Sequence, residues 1–199
     1  NETNNNSIQP TPTIGGVGLI ENLEKITTHK IKGKNNLILV IGKTTGHLYQ
    51  SEFYREVLDL KSGPPPEINL FNEKNNGETV LKLIEEELIK STHDVSLGGI
   101  ITAISKMAIR GKKGFKLNKL RVLMNKFDYY FGEDQGRYII EIEPKNLSKV
   151  QKILRDNSVH CDEIGIVTEK DIVLDKEPII HIDDLIKSNT NWLEEYMSK

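Results

Sequence analysis

An unbroken apolar run from Leu37 to Ile41, bounded by Asn36 and Gly42, predicts a β-strand buried on both faces. Tyr138 to Ile142 predicts a second strand, and Phe115 to Leu117 a short one after the basic turn Gly111-Lys112-Lys113-Gly114. Glu163 to Val167, Asp171 to Leu174 and Pro178 to Ile182 also read as strands, the first two as a hairpin. Ile14-Gly15-Gly16-Val17-Gly18-Leu19-Ile20 predicts a glycine-rich strand closely approached by another backbone or a ligand. Helical spacing appears elsewhere. Val80, Leu83, Ile84 and Leu88 form one stripe on a helix expected over Asn69 to Leu88, with Gly77 as a point of interruption. Ile100, Ile104, Met107 and Ala108 mark the buried side of a helix over Leu97 to Ile109, with Ser96 as its N-cap. Shorter helices are expected over Ser51 to Leu58, Leu147 to Leu154, Asp183 to Ser188 and Trp192 to Tyr196, and Ser62-Gly63-Pro64-Pro65-Pro66 is a rigid turn. Strands and helices mix without a regular βαβ rhythm, so the expected class is α+β, a mixed β-sheet packed with helices.

The chain has 199 residues, enough for one sizeable domain with an arm. Residues 1–13 are polar and contain Pro10 and Pro12, which predicts an irregular arm leading into a domain over 14–199. The first residue is Asn1 rather than methionine, so the chain is expected to be processed or part of a longer protein. A net charge of −2 gives no electrostatic case for nucleic acid or an anionic membrane. No apolar run is long enough to span a bilayer, and no signal peptide is expected. The single cysteine, Cys161, excludes an internal disulfide framework, fits a reducing cytoplasm and is expected to be inert.

Three segments carry candidate chemistry. In Gly132-Glu133-Asp134-Gln135-Gly136-Arg137-Tyr138, two acids, an amide and a guanidinium sit at a strand entrance. Carboxylates take hard cations and guanidinium takes phosphate oxygens, so a metal–phosphate site and a solvated charged turn are both open. Thr92-His93-Asp94-Val95-Ser96-Leu97-Gly98-Gly99 is expected to connect two helices. Its glycines would expose free N–H groups at a helix start, where the dipole favours an anion. Asp94 is the candidate metal ligand there, and Ser96, Gly98 and Gly99 are the candidate phosphate contacts. The third is the arm, ending in Pro10-Thr11-Pro12-Thr13-Ile14-Gly15-Gly16-Val17-Gly18, which reads equally as a linker.

Those segments, taken in order, resemble the carboxy-terminal part of phosphoribosylformylglycinamidine synthases. Asn1-Glu2-Thr3 with the arm leads in, and Gly46-His47-Leu48-Tyr49-Gln50-Ser51-Glu52-Phe53-Tyr54 is similar to the family's Leu-Gly-Gln-Ser-x-Tyr-Leu. Gly63-Pro64-Pro65-Pro66-Glu67-Ile68-Asn69-Leu70 resembles Pro-Pro-Pro-x-Val-Asp-Leu, and Thr92 to Gly99 resembles His-Asp-x-Ser-Asp-Gly-Gly. Gly132 to Tyr138 resembles Gly-Glu-Asp-Gln-Gly-Arg-Tyr.

The resemblance implies a fold like the carboxy-terminal domain of aminoimidazole ribonucleotide synthetase. It implies the second half of an ATP- and glutamine-dependent ligase of purine biosynthesis, converting formylglycinamide ribonucleotide to formylglycinamidine ribonucleotide. ATP and Mg²⁺ are then the cofactors of the complete enzyme. Its ATP-type domains and catalytic histidine are expected before Asn1, which would leave this chain inactive alone. A glutaminase subunit and a small bridging subunit are the implied partners, in the cytoplasm. By pseudo-symmetry with the first half, Glu133, Asp134 and Gln135 join Ser96, Gly98 and Gly99 as nucleotide- or phosphate-binding residues, with Asp94 on metal. Leu97 stands where an aspartate is usual, Tyr49 where glycine is common, and Asn5 where the arm more often has glycine nearby. The alternative is a non-catalytic nucleotide-binding or structural lobe of a related synthetase.

Overall fold

The computed structural model describes residues 2–3, 6–7, 12–20, 22–118 and 124–198; Asn1, Asn5, Pro10 and Thr11, named above, lie outside them. Seven strands form one sheet: β1 (Leu37–Ile41), β2 (Ser91–Val95), β3 (Phe115–Leu117), β4 (Arg137–Ile142), β5 (Cys161–Val167), β6 (Asp171–Val173) and β7 (Ile180–His181). Their spatial order is β2-β4-β1-β5-β3-β6-β7, antiparallel throughout except for the β3–β6 pair. The sheet is therefore mixed, as the sequence pattern predicts.

Helices cover both faces. They are α1 (Leu70–Glu85), α2 (Gly99–Gly111), α3 (Lys126–Phe131), α4 (Leu147–Asp156) and α5 (Ile182–Met197). Alternation along the central strands assigns side chains to one face or the other. Ile38, Val40 and Ile139 join the core under α2, with Ile100, Ile104 and Met107. Leu39, Ile41, Ile140 and Ile142 point the other way, against Val80 and Leu83 of α1 and Val150 and Leu154 of α4. That is why β1 is apolar at every position and β4 is apolar at Ile139, Ile140 and Ile142, with Arg137 and Glu141 as buried exceptions.

α1 starts at Asn69, whose side chain accepts a hydrogen bond from the Asn72 N–H, and it runs straight through Gly77. A Cβ at Gly77 would lie 3.3 Å from the Tyr138 hydroxyl, so the missing side chain leaves room for that ring.

Several expectations are corrected. Residues 12–20 form no strand; Ile14, Val17 and Leu19 are exposed, and among the described residues none pairs with them as a strand. The expected helix over Ser51 to Leu58 is a π-helical turn, Phe53–Val57. Thr92 to Val95 is not a connection between helices but lies in β2, at the sheet edge. The expected hairpin of Glu163–Val167 with Asp171–Leu174 does not form, because β3 inserts between β5 and β6. Gly165 permits this: a Cβ there would sit 2.2 Å from the Lys116 carbonyl oxygen. Of the strand expected over Pro178 to Ile182 only Ile180 and His181 pair, and the two short terminal helices are one continuous α5. Within it, Thr190 donates its hydroxyl back to the Ile186 carbonyl at 3.0 Å, so the threonine is accommodated inside the helix. α3 has no counterpart in the sequence expectations.

Candidate functional site

The Gly132–Tyr138 segment enters β4 and turns most of its polar groups inward. Asp134 is buried, and its carboxylate accepts from the backbone N–H groups of Thr45 (3.1 Å), Gly46 (3.0 Å) and His47 (3.2 Å). The Thr45 hydroxyl donates to it as well, and the Arg137 guanidinium lies 3.5 Å away. Burial alone would raise the Asp134 pKa. The Thr45 hydroxyl, Arg137 and the Gly46 and His47 N–H groups overcome that and hold it below the ordinary carboxylate value.

Arg137 is buried too and has little left for a ligand. Its Nε donates to the Asp134 carbonyl (3.1 Å), Nη1 to the Thr44 hydroxyl (3.1 Å) and Nη2 to the Gly132 carbonyl (2.6 Å). Glu133 reaches the other way. Its Oε1 accepts from the Gly98 N–H and the Glu52 N–H, each at 2.8 Å. A carboxylate of the chain itself thus holds the anion position at the start of α2. Gln135 is exposed and donates to the Glu133 carbonyl at 3.3 Å.

The start of α2 differs from the sequence reading. Gly98, in left-handed conformation, is the N-cap, and exposed Ser96 contributes its carbonyl, which accepts from the Gly99 N–H at 3.0 Å. Gly99 has φ +67°, and a Cβ there would lie 2.6 Å from the Tyr130 carbonyl oxygen. Glycine is required at that position by the approach of the 130–132 backbone. Asp94 lies on β2 with 64% of its side chain exposed, 3.1 Å from the His93 Nδ1. The fold therefore gathers Ser96, Gly98, Gly99 and Glu133 around one helix start. It places Asp134 under the 45–47 loop, Gln135 on a cleft wall and Asp94 on the sheet edge.

The metal and phosphate expectations meet this geometry poorly. Among the described residues no group of three or more histidine, cysteine or acidic side chains is placed to hold a metal ion. Asp94 has His93 beside it rather than a second carboxylate, a donor set that does not suit Mg²⁺. A phosphate at the Gly98 N–H would have to displace Glu133.

Two features escaped sequence reading. Glu141 is fully buried on β4 and accepts from the Lys32 N–H (3.0 Å), Gly33 N–H (2.8 Å), Asn36 Nδ2 (2.7 Å) and Ser91 hydroxyl (2.6 Å). Its signal was a glutamate between Ile140 and Ile142 in an apolar run. The other is a cleft of about 470 Å³ between the 43–47 loop, the first turns of α1 and Gln135. Lys43, His47, Asn72, Glu73 and Asn76 line it, residues too scattered along the chain to form a motif. Cys161 is half-buried, and burial with Asp162 and Glu163 nearby pushes its thiol up to about 12, out of the reactive range.

Comparison with known proteins adds three findings. Residues 34–176 match the family model of the AIR synthase related protein, C-terminal domain. The chain is 60% identical over 197 residues to the phosphoribosylformylglycinamidine synthase subunit PurL of Pelagibacter ubique, covering 99% of this chain and 27% of that protein. The chain thus spans about a quarter of the length of the relatives it matches. Among solved structures, Thermotoga maritima PurL complexed with ATP superposes with a TM-score of 0.63 at 20% identity, over 82% of this chain and 28% of that one. A structure of PurLQS from the same organism gives 0.63 at 21%, with the same coverage. At those identities the likeness is one of fold.

Proposed function

Since the chain belongs to the AIR synthase related family, matching its C-terminal domain, we propose that it is the carboxy-terminal lobe of a PurL-type phosphoribosylformylglycinamidine synthase subunit. The observation that carries this reading is the 60% identity to the Pelagibacter ubique subunit along 99% of the chain. The longer polypeptide would be the ATP-dependent C–N ligase of purine biosynthesis, acting in the cytoplasm. Its ATP-type domains, catalytic histidine, ATP and Mg²⁺ would lie outside this lobe. The solved Thermotoga maritima PurL is complexed with ATP, which accords with ATP use by the longer protein. A glutaminase subunit and a small bridging subunit would be its partners, and the PurLQS structure supports an assembly of that kind. The arm over 1–13 would join this domain, over 14–199, to the rest of the subunit.

Within the lobe, Glu133, Asp134 and Arg137 would act as a clasp rather than as catalytic groups. Their hydrogen bonds support this, since they are spent on backbone N–H groups, a threonine hydroxyl and carbonyls of the chain itself. Ser96, Gly98 and Gly99 would likewise shape the turn into α2, with Glu133 standing where a phosphate would stand in an open site.

The test replaces the corresponding quarter of the Pelagibacter ubique subunit with this chain and assays ATP- and glutamine-dependent formation of formylglycinamidine ribonucleotide with its partner subunits. Activity near that of the parent is expected. A soluble, folded chimera without activity would overturn the assignment. Formation of the product by the isolated chain would overturn its placement outside the catalytic centre.

A further inference from the structure

The end of the sheet opposite the clasp and the cleft gathers cations from three turns. Leu37 at the start of β1 pairs with Ile142 and Ile166, and Phe115 at the start of β3 pairs with Val167. Residues 30–36, 111–114 and 168–171 therefore meet there, and backbone contacts join them. The Ile31 N–H donates to the Met107 carbonyl on α2 at 3.3 Å, the Asn35 N–H to the Val167 carbonyl at 2.9 Å and the Thr168 N–H to the Gly114 carbonyl at 3.0 Å. Side chains at Gly111 and Gly114 would strike the Ile31 and Asp171 carbonyls, so glycine lets the turns close on one another. Buried Glu141 fixes the first turn from beneath by accepting from the Lys32 and Gly33 N–H groups.

The first turn contributes exposed Lys30, Lys32 and Lys34, and the end of α2 with the turn after it contributes Arg110, Lys112 and Lys113. Glu169 and Asp171 are the acids of these turns. Lys113 pairs with Glu169 at 3.0 Å, and Lys113 first, then Lys34 and Lys170, hold that carboxyl below its ordinary value. Lys170 also pairs with Asp183 at 3.3 Å. Among the described residues Lys30, Lys32, Lys34, Arg110 and Lys112 have no ion-pair partner. The terminus of α2 accounts for part of the cluster, since cations suit the negative end of a helix dipole. It does not account for Lys30, Lys32 and Lys34, which lie at no helix end. A chain of net charge −2 thus carries one strongly basic end.

We propose that this basic end docks an acidic, extended peptide segment of a partner protein. Lysine is a hydrated point charge on a flexible stem, and spaced lysines suit a row of carboxylates better than one compact anion. No large apolar side chain is exposed in the three turns, which leaves no footing for an interface with an apolar centre or for a membrane anchor. Nor is there an exposed aromatic ring in them on which bases could stack. A nucleic-acid duplex would run on past the patch, over a surface left net negative once these cations are set aside. A short acidic segment avoids that repulsion. This surface lies away from the clasp and the cleft, and its partner does not depend on what reaction the longer subunit performs.

Fluorescence anisotropy of a labelled peptide of about ten residues, alternating glutamate and serine, titrated with the 199-residue chain tests it. Saturable binding below about 1 mM is expected in low salt, weakening several-fold at about 0.15 M, where exposed charges are screened. The same peptide with glutamine for glutamate should not bind. Lys34→Glu and Lys112→Glu should each weaken binding about threefold or more, and the double variant more than either. Lys74→Glu, on α1 and outside the patch, should leave it unchanged. A thermal melt of each variant separates a lost contact from a lost fold. No saturable binding of the acidic peptide would overturn the proposal, as would an affinity indifferent to the double variant in folded protein. Tighter binding of a DNA duplex of about 20 base pairs, or of phosphatidylserine vesicles, would assign the surface to phosphate and overturn it too. The chimera assay and this titration fail independently, because one reads turnover by the longer subunit and the other binding by this chain.

Discussion

The clasp at Gly132–Arg137 and the cleft between Lys43 and Asn76 share a wall, yet they use polar residues in opposite ways. In the clasp the charges are buried and their hydrogen-bonding capacity is used inside the chain: Asp134 takes three backbone N–H groups and a hydroxyl, and Arg137 takes two carbonyls and a hydroxyl. In the cleft the polar groups line open space and only part of their capacity is used inside the chain: His47 Nε2 meets the Pro64 carbonyl at 3.1 Å, and Asn76 donates through its Nδ2. A dense cluster of charged residues in a sequence is thus no measure of its availability. A buried charge must find partners or be neutralised, and once it has found them it has little to offer a ligand.

The sharpest way to break this contrast is to remove the cation of the clasp. Arg137→Met should cost about 3–5 kcal/mol, because Asp134 is left buried without its charged partner; denaturant unfolding measures it. A loss below about 1 kcal/mol would mean that the N–H cradle alone sustains the carboxylate. Gly99→Ala comes next, with an expected loss of about 1–3 kcal/mol, since it combines a left-handed backbone with a contact to the Tyr130 carbonyl.

Asp134→Asn should have a smaller effect near neutrality, about 1–2 kcal/mol, and a distinct effect in acid. The folded-state pKa of Asp134 lies below its unfolded value, so its contribution is complete above the ordinary carboxylate range. That contribution is lost as pH falls through the depressed folded value. The variant should therefore lose part of the acid limb of a stability–pH profile, and an unchanged limb would assign acid sensitivity to other groups. The smallest change is expected at the sheet edge. Asp94→Ala should alter stability by under about 0.5 kcal/mol, as its pairing with His93 is solvent-exposed, and a clearly larger loss in thermal melts would restore a role for Asp94.

The central strands were legible because burial on both faces leaves a continuous apolar run, as in Leu37–Ile41. The stripes of α1 and α2 were legible because 3.6-residue spacing survives any tertiary context that buries one side. Legibility ended where distant segments compete. The local hairpin signal at 163–174 lost to β3, an element almost 50 residues upstream, once Gly165 allowed its close approach. In the same way, Thr92–Val95 became an edge strand because β4 offered it a partner.

The Gly-Glu-Asp-Gln-Gly-Arg-Tyr segment divides the two kinds of knowledge most clearly. Residue order alone was enough to point to the family, since a motif is a property of the chain and needs no folding to be read. Whether its acids face a ligand or the protein depended on where residues 45–47, 52 and 98 came to rest. The cleft followed the same rule, drawing Lys43, Asn76 and Gln135 from three separate stretches. Short-range patterning set the central strands, the stripes of α1 and α2 and the apolar core. Partners for charge are chosen by proximity in space, and that is settled only when the sheet has assembled.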